Sequence, residues 1–153
     1  MEVKTWDQYH ADIMALAEKS TKYRPDVICP VMIGGLIPGA IIAKYFEIND
    51  VRPIDIERVG ERRRLAYDIH GEISGKRILI VEDDLPTGIG PAQIAQEFRQ
   101  RGSEVKIGAL YVTPQSQSLT DFWVDLYESA DKFPRYPWKN PHIGDKVLRS
   151  SES

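Results

Sequence analysis

Ile78-Leu79-Ile80-Val81 is apolar at every position, with none of the alternation that a half-exposed strand shows. A strand of that kind is covered on both faces, as in a parallel sheet. Val27-Ile28-Cys29-Pro30-Val31-Met32-Ile33 reads the same way. Each run ends in a glycine-containing loop that leads into a stretch with helical spacing. Further strands are expected over 53–59, 105–112 and 122–127. This succession predicts an α/β fold: a doubly wound, mainly parallel central sheet flanked by helices. In such sheets ligands bind beyond the carboxyl ends of the strands. Loops 33–39 and 82–91 should therefore lie side by side.

Thr5 and Gln8 have the spacing of a capping box. Behind them Trp6, Tyr9, Ile13, Leu16 and Ala17 fall at helical spacing, which predicts a helix to about Lys22, ended by Arg24-Pro25. Helices are also expected over 38–46, with Pro38 in the first turn, and over 92–101, stopped by Gly102. Gly60-Glu61-Arg62-Arg63-Arg64 reads as a polar, mobile connection, and 71–75 as a turn. From Lys132 onward the chain is irregular, with prolines around Tyr136 and Trp138. No repeat or linker divides it. One domain over 1–153 is expected, with its core at about 25–130, a separate C-terminal segment at about 131–148 and a loose tail at 149–153. A net charge of −3 argues against nucleic acid or a membrane surface as partner. No apolar stretch is long enough to span a bilayer, and the N-terminus lacks the apolar core of a signal peptide. The expected location is the cytoplasm. Cys29, the single cysteine, lies in an apolar run and is expected as a buried, inert thiol.

Glu82 and Asp83 follow the 78–81 strand directly, which predicts two carboxylates at the rim of the sheet. Carboxylates accept hydrogen bonds from vicinal hydroxyls, as on a ribose, and can hold a divalent ion. Thr87, Gly88 and Gly90 come next and run into a helix start. Glycines let amides turn inward, and a helix N-terminus adds positive potential. The loop thus offers hydroxyl acceptors at one end and a phosphate cradle at the other, a spacing that suits a 5-phosphorylated ribose. A capped acidic turn is the bland alternative, disfavoured by the coincidence of buried strand, paired acids, Thr-Gly and helix. Gly34-Gly35 allows either a tight turn near an anion or close packing of the next helix. Arg62, Arg63 and Arg64 read as a solvated basic turn or as cations for an anionic ligand. Trp138 offers a plane for stacking on a base, contributing about 1–3 kcal/mol, or a cover for the core edge.

The run Ile78-Leu79-Ile80-Val81-Glu82-Asp83-Asp84-Leu85-Pro86-Thr87-Gly88 resembles the phosphoribosyl pyrophosphate (PRPP) motif of the type I phosphoribosyltransferases: a hydrophobic strand, two acids, three variable residues, then Thr-Gly. The resemblance implies that fold, with the 131–148 segment as a small hood. It implies that Glu82 and Asp83 hold the ribose hydroxyls, bind Mg2+ and serve catalysis. It implies that Asp84, Leu85, Pro86, Thr87, Gly88, Ile89 and Gly90 cradle the 5-phosphate. Gly34-Gly35-Leu36-Ile37-Pro38-Gly39-Ala40-Ile41-Ile42-Ala43 is similar to the pyrophosphate loop of the purine members, the xanthine-guanine and hypoxanthine types, which makes Gly34 and Gly35 PRPP contacts. Arg62 and Arg63 fall where the family has a loop that closes over pyrophosphate, excluding water and stabilising the leaving group. By position Trp138 stacks on the base and Thr113 reads its exocyclic oxygen. The chain departs from the family pattern at Ile33 (usually Arg), Gly90 (Ser or Thr), Thr113 (Lys) and Lys139 (an acid).

The implied reaction is Mg2+-dependent transfer of a 5-phosphoribosyl group from PRPP to a nucleobase, a 6-oxopurine, releasing pyrophosphate, as in nucleotide salvage. The implied partners are PRPP, a base, and identical subunits in a dimer or tetramer. Ile33, Gly90 and Thr113 favour an alternative: a weak or inactive relative that binds PRPP or a nucleotide in a regulatory role. A transferase for a different base is a third reading. Asp68 and His70, near the arginines in sequence, read as surface polar residues.

Overall fold

The computed structural model describes residues 2–138. Lys139, the rest of the 131–148 segment and the 149–153 tail lie outside the described residues. In chain order the elements are α1 (Trp6–Lys19), β1 (Val27–Pro30), α2 (Leu36–Tyr45), β2 (Ile56–Val59), β3 (Arg62–Leu65), β4 (Arg77–Leu85), α3 (Ile89–Gln100), β5 (Glu104–Val112), α4 (Pro114–Gln117) and β6 (Phe122–Leu126). Short 3₁₀ turns cover Thr21–Tyr23 and Ala130–Lys132.

The main sheet has four strands in the order β1-β4-β5-β6, and every neighbouring pair is parallel. Its two faces explain the apolar runs. On one face α1 and α2 contribute Tyr9, Ile13, Leu16, Ile42 and Ala43, which pack with Leu79 and Val81. On the other, α3 contributes Ile94, Ala95 and Phe98, which pack with Ile78 and Ile80. Alternate residues of β4 therefore point into different cores, so no position in 78–81 can be polar. Cys29 is fully buried among them, and burial pushes its thiol up to about 12, as expected of an inert group.

The capping box forms as predicted. Gln8 N donates to Thr5 Oγ1 at 3.1 Å, and Thr5 N donates to Gln8 Oε1 at 2.9 Å. Such a cap contributes on the order of 1 kcal/mol. The helix ends at Lys19, short of the expected Lys22. Ser20 Oγ donates back to Leu16 O and Ala17 O, both at 3.0 Å, and the chain tightens into its 3₁₀ turn.

Two expectations in the 53–64 region are corrected. Residues 51–54 run beside β1 through bridges at Ile28–Val51 and Val31–Ile54, so the expected 53–59 strand splits, and only Ile56–Val59 forms β2. The supposed mobile connection is a hairpin. β2 and β3 pair antiparallel from Ile56–Leu65 to Val59–Arg62, and the turn is made by Gly60, at φ 61°, and Glu61. Ile56 and Leu65 anchor the hairpin on the α3 core, while Arg62 and Arg64 stay exposed. No helix among the described residues is long and apolar enough to cross a membrane.

Candidate active site

The expected meeting of the two loops is real, and glycine makes it possible. A Cβ on Gly34 would overlap the Asp83 carboxylate, lying 2.5 Å from Oδ1 and closer to the other carboxyl atoms. A Cβ on Gly35 would collide with the Val81 carbonyl and would come within 2.8 Å of Val31 N and O. The 33–35 turn, which includes a cis peptide between Met32 and Ile33, thus sits directly on the end of β4. Ile33 itself projects outward, 83% exposed.

The acids do not lie in a loop beyond the strand. β5 runs on to Val112, so β4 keeps a pairing partner, and Glu82 and Asp84 stand opposite Ala109 and Tyr111 within the sheet. Side-chain alternation slips at this level. Leu110 and Tyr111 both join the α1 side, while Leu85 and Val112 join the α3 side. Asp84 reaches the α1 side, where the Tyr136 hydroxyl donates to it. Glu82 pairs with Ala109 of the α3 side. Burial, and then repulsion from Asp83 and Asp84, hold the Glu82 carboxyl well above the usual range. Asp84 N donates to Asp83 Oδ1 at 2.6 Å.

Beyond β4 the expected cradle divides. Leu85 is buried in the α3 core, so its side chain is no part of a cradle. Pro86 and Thr87 are exposed. Gly88 takes φ 76°, which glycine adopts without strain, and stands at the head of α3 with no side chain capping the helix. Thr87 Oγ1 accepts from Ile89 N at a long 3.3 Å, and Pro91 brings no amide. The first turn of α3 therefore keeps the unfilled amide valence and positive potential that attract a phosphate. The hairpin lies over this helix start. A Cβ built on Gly90 would be 3.5 Å from Ile56 Cγ2 and 3.9 Å from Arg63 Cγ. Arg63 N donates to Gln93 Oε1 at 2.7 Å, which fixes the strand on α3. A groove of about 560 Å³ runs between the hairpin and the later turns of α3, lined by Arg62, Arg63 and Arg64 with Gln93, Gln96, Glu97 and Gln100. Arg64 is held by Glu57 at 2.6 Å, whereas Arg62 and Arg63 have no ion-pair partner among the described residues.

At the base end the expectations fare differently. The Thr113 hydroxyl is committed elsewhere: it donates to Pro86 O at 2.8 Å and accepts from Ser116 N as the N-cap of α4. It is buried and ties the end of β5 to the 82–88 segment, so its hydroxyl is not available to a ligand. Asp84 likewise turns away from the cradle, accepting from the Tyr136 hydroxyl at 3.0 Å. Trp138 is half-buried. It stacks on Tyr136, with centroids 5.0 Å and planes 7° apart, and meets Trp6 and Tyr9. Sequence reasoning gave no site role to Tyr9 or Tyr136. They meet β4 from distant parts of the chain, Tyr136 from 52 residues away, which leaves no local signal. Asp68 pairs with Arg101 at the surface, and His70 is exposed.

Residues 5–142 match the family model described as the phosphoribosyl transferase domain. The chain belongs to that family. It is 28% identical over 140 residues to a xanthine-guanine phosphoribosyltransferase of Nitratidesulfovibrio vulgaris, covering 88% of this chain and 82% of that one. It is 30% identical over 126 residues to an orotate phosphoribosyltransferase of Caulobacter vibrioides, covering 80% of this chain and 62% of that one. A solved purine phosphoribosyltransferase from Pyrococcus horikoshii superposes with a TM-score of 0.78 at 31% identity, covering 91% of this chain and 93% of the other. The mainly parallel sheet with helices on both faces is thus the type I phosphoribosyltransferase fold.

The donor set can be tested against the magnesium implied by that family. Among the described residues no three His, Cys, Asp or Glu side chains converge as a cage. Magnesium rarely needs one, since it takes one or two carboxylates and fills the remaining positions with water and substrate phosphates. Asp83, at the glycine turn, suits an ion of that kind arriving with an anionic ligand, whereas burial holds the Glu82 carboxyl well above the usual range and disfavours the ionised form a metal takes.

Proposed function

We propose that the protein transfers the 5-phosphoribosyl group of PRPP to a nucleobase, a 6-oxopurine, and releases pyrophosphate. One observation carries the reading: the Asp83 carboxylate rests against Gly34. It supports a common rim shared by the Asp83 acid and the glycine turn.

In this reading Glu82 and Asp83 accept from the ribose hydroxyls, and the amides at 87–90 take the 5-phosphate. Gly34 and Gly35 let the backbone approach the diphosphate. Arg63, and to a lesser degree Arg62, stabilises the leaving group from the hairpin. Trp138 covers the base. Asp83, and Glu82 in its ionised form, would hold magnesium, which would supply charge neutralisation on the leaving group. The protein contributes position and fixed charge, and no covalent nucleophile is called for. The outward apolar side chains of Ile37 and Tyr45 on α2 support assembly with identical subunits. Soluble phosphorylated substrates are consistent with a cytoplasmic location and a salvage role.

The test is incubation with PRPP, Mg2+ and each of xanthine, guanine, hypoxanthine, adenine and orotate, with pyrophosphate release as the readout. Release with an oxopurine upholds the proposal, and release with orotate alone moves the base assignment. A second reading, a PRPP- or nucleotide-binding relative without turnover, draws on exposed Ile33, which brings no cation to the glycine turn. Calorimetric PRPP binding without release from any base would favour it.

A further inference from the structure

Behind the acid rim lies a buried cluster of phenols and carboxylates that the proposed reaction leaves unused. Tyr136 is 1% exposed, and its hydroxyl donates to Asp84 Oδ2 at 3.0 Å. Its ring is the middle member of a stack. Tyr111 lies on one side, with centroids 5.9 Å and planes 20° apart, and Trp138 on the other, at 5.0 Å and 7°. Tyr9 of α1 meets Tyr136 and Trp138 edge-on, at 5.3 and 4.8 Å. The Tyr9 hydroxyl is sealed from solvent and has no hydrogen-bond partner among the described residues. It lies in the field of Asp83 and Asp84.

The backbone fixes the same segment from outside. Arg135 N donates to Glu2 O and Lys4 N donates to Arg135 O, both at 2.9 Å. Within that anchored stretch, Tyr136 reaches inward to β4 while Trp138 stays half-exposed. Asp84 is itself linked to the ribose acid, because its amide donates to Asp83 Oδ1 at 2.6 Å. A continuous chain therefore runs from Asp83 through Asp84 and Tyr136 to the face of Trp138. A buried donor without an acceptor is costly. The Tyr9 hydroxyl is such a donor, on a ring packed edge-on against Tyr136.

We propose that Tyr136 is a latch coupling the two halves of the site, so that PRPP engaging Asp83 is transmitted through Asp84 to the aromatic segment that ends in Trp138. The proposal rests on the PRPP reading of Glu82 and Asp83. When Asp83 turns to the ribose hydroxyls it gives up the Asp84 amide, Asp84 shifts, and the bonded Tyr136 ring carries Trp138 with it. Tyr136 is thus a positioning residue that touches neither PRPP nor the reacting atoms.

The test uses tryptophan emission in a Trp123→Phe background, which removes the indole of β6 and leaves Trp138 and the exposed Trp6 that touches it. PRPP with Mg2+ is titrated by calorimetry and by emission in parallel. The expected result is an emission shift on PRPP binding in the Trp123→Phe parent. Added Tyr136→Phe keeps the calorimetric affinity within about threefold and loses the shift. Asp84→Asn keeps the shape of the acceptor but weakens it, so it shrinks the shift, and the combined variant loses no more than Tyr136→Phe alone. Asp84→Asn also carries the test should Tyr136→Phe fail to fold by circular dichroism. A shift that survives Tyr136→Phe, or a parent that binds PRPP with no shift, overturns the latch. A parent that shows no calorimetric PRPP binding overturns the substrate reading first and the latch with it.

Discussion

Alanine at Gly34 should disable the site while leaving the fold almost untouched. Gly34 does not occupy the left-handed region, so a side chain there brings no backbone strain, and the effect comes from one contact. The new Cβ would lie 2.5 Å from Asp83 Oδ1. Comfortable carbon–oxygen contact is nearer 3.5 Å, so the carboxylate must retreat by about 1 Å. Displacing a positioning group by that much costs roughly a hundredfold in rate, or about 2.7 kcal/mol of transition-state stabilisation. Asp83 is a side chain and can move, so thermal stability should barely fall. Gly35→Ala is the control with the opposite signature. Its Cβ meets Val31 N and O at 2.8 Å and the Val81 carbonyl, all backbone that cannot swing aside. That overpacking should cost about 1–3 kcal/mol, lowering Tm by roughly 2–4 °C for each kcal/mol. The assays are calorimetric titration with PRPP and Mg2+, pyrophosphate release, and a thermal melt. Gly34→Ala with wild-type affinity and rate would refute the placing of Asp83 on the ribose. Gly34→Ala that melts as early as Gly35→Ala would show the contact to be packing alone.

Glu82→Gln should stabilise the free protein while weakening Mg2+·PRPP binding. The folded carboxyl titrates above its unfolded value, so its contribution is full at acid pH and is lost as pH rises from the ordinary glutamate range through the folded pKa. The variant should therefore melt higher than wild type near neutrality, by on the order of 1 kcal/mol, and match it in acid; equal melts at neutral pH would refute the desolvation argument. Arg63→Ala, on the strand position facing α3, should lower PRPP affinity about tenfold, as for loss of one charge-assisted hydrogen bond. Arg62→Ala should do less, and equal effects would show that strand alternation does not aim these cations. Trp138→Ala should raise the base KM by roughly five- to a hundredfold, from a stacking contribution of about 1–3 kcal/mol, and spare PRPP. Loss confined to PRPP would make Trp138 a cover for the core.

Local pattern was enough for the frame and too little for the aim of the side chains. The 27–33 and 78–81 runs announced strands buried on both faces because α1 with α2, and α3, cover them on opposite sides. The end of β4 was misplaced because a strand ends where its neighbour ends. Glu82 to Leu85 stay paired only because β5 reaches Val112. The hairpin was illegible for the converse reason: it rests on α3 through few residues, Ile56 and Leu65 among them, and its outward face is charged like a loop. Thr113 was misread because α4 is four residues long, too short to show a helical pattern, and its cap was taken for a substrate contact.

The same logic gives the departure at Gly90 a physical reading. Where relatives usually carry a hydroxyl, this chain carries hydrogen, and the hairpin fills the space. Ile56 and Arg63 approach to 3.5 and 3.9 Å of a Cβ built there. A threonine at 90 would extend beyond that Cβ toward both, into the stem of Arg63, and would displace that side chain. Glycine instead leaves room for the Ile56 and Arg63 side chains beside the first turn of α3. The hydroxyl missing at 90 is, in three dimensions, clearance for the stem of Arg63. Gly90→Thr should accordingly weaken PRPP binding despite restoring the usual hydroxyl, and the loss should shrink in an Arg63→Ala background, where there is no guanidinium left to displace. Tighter binding by Gly90→Thr in the presence of Arg63 would show that the hydroxyl was simply missing.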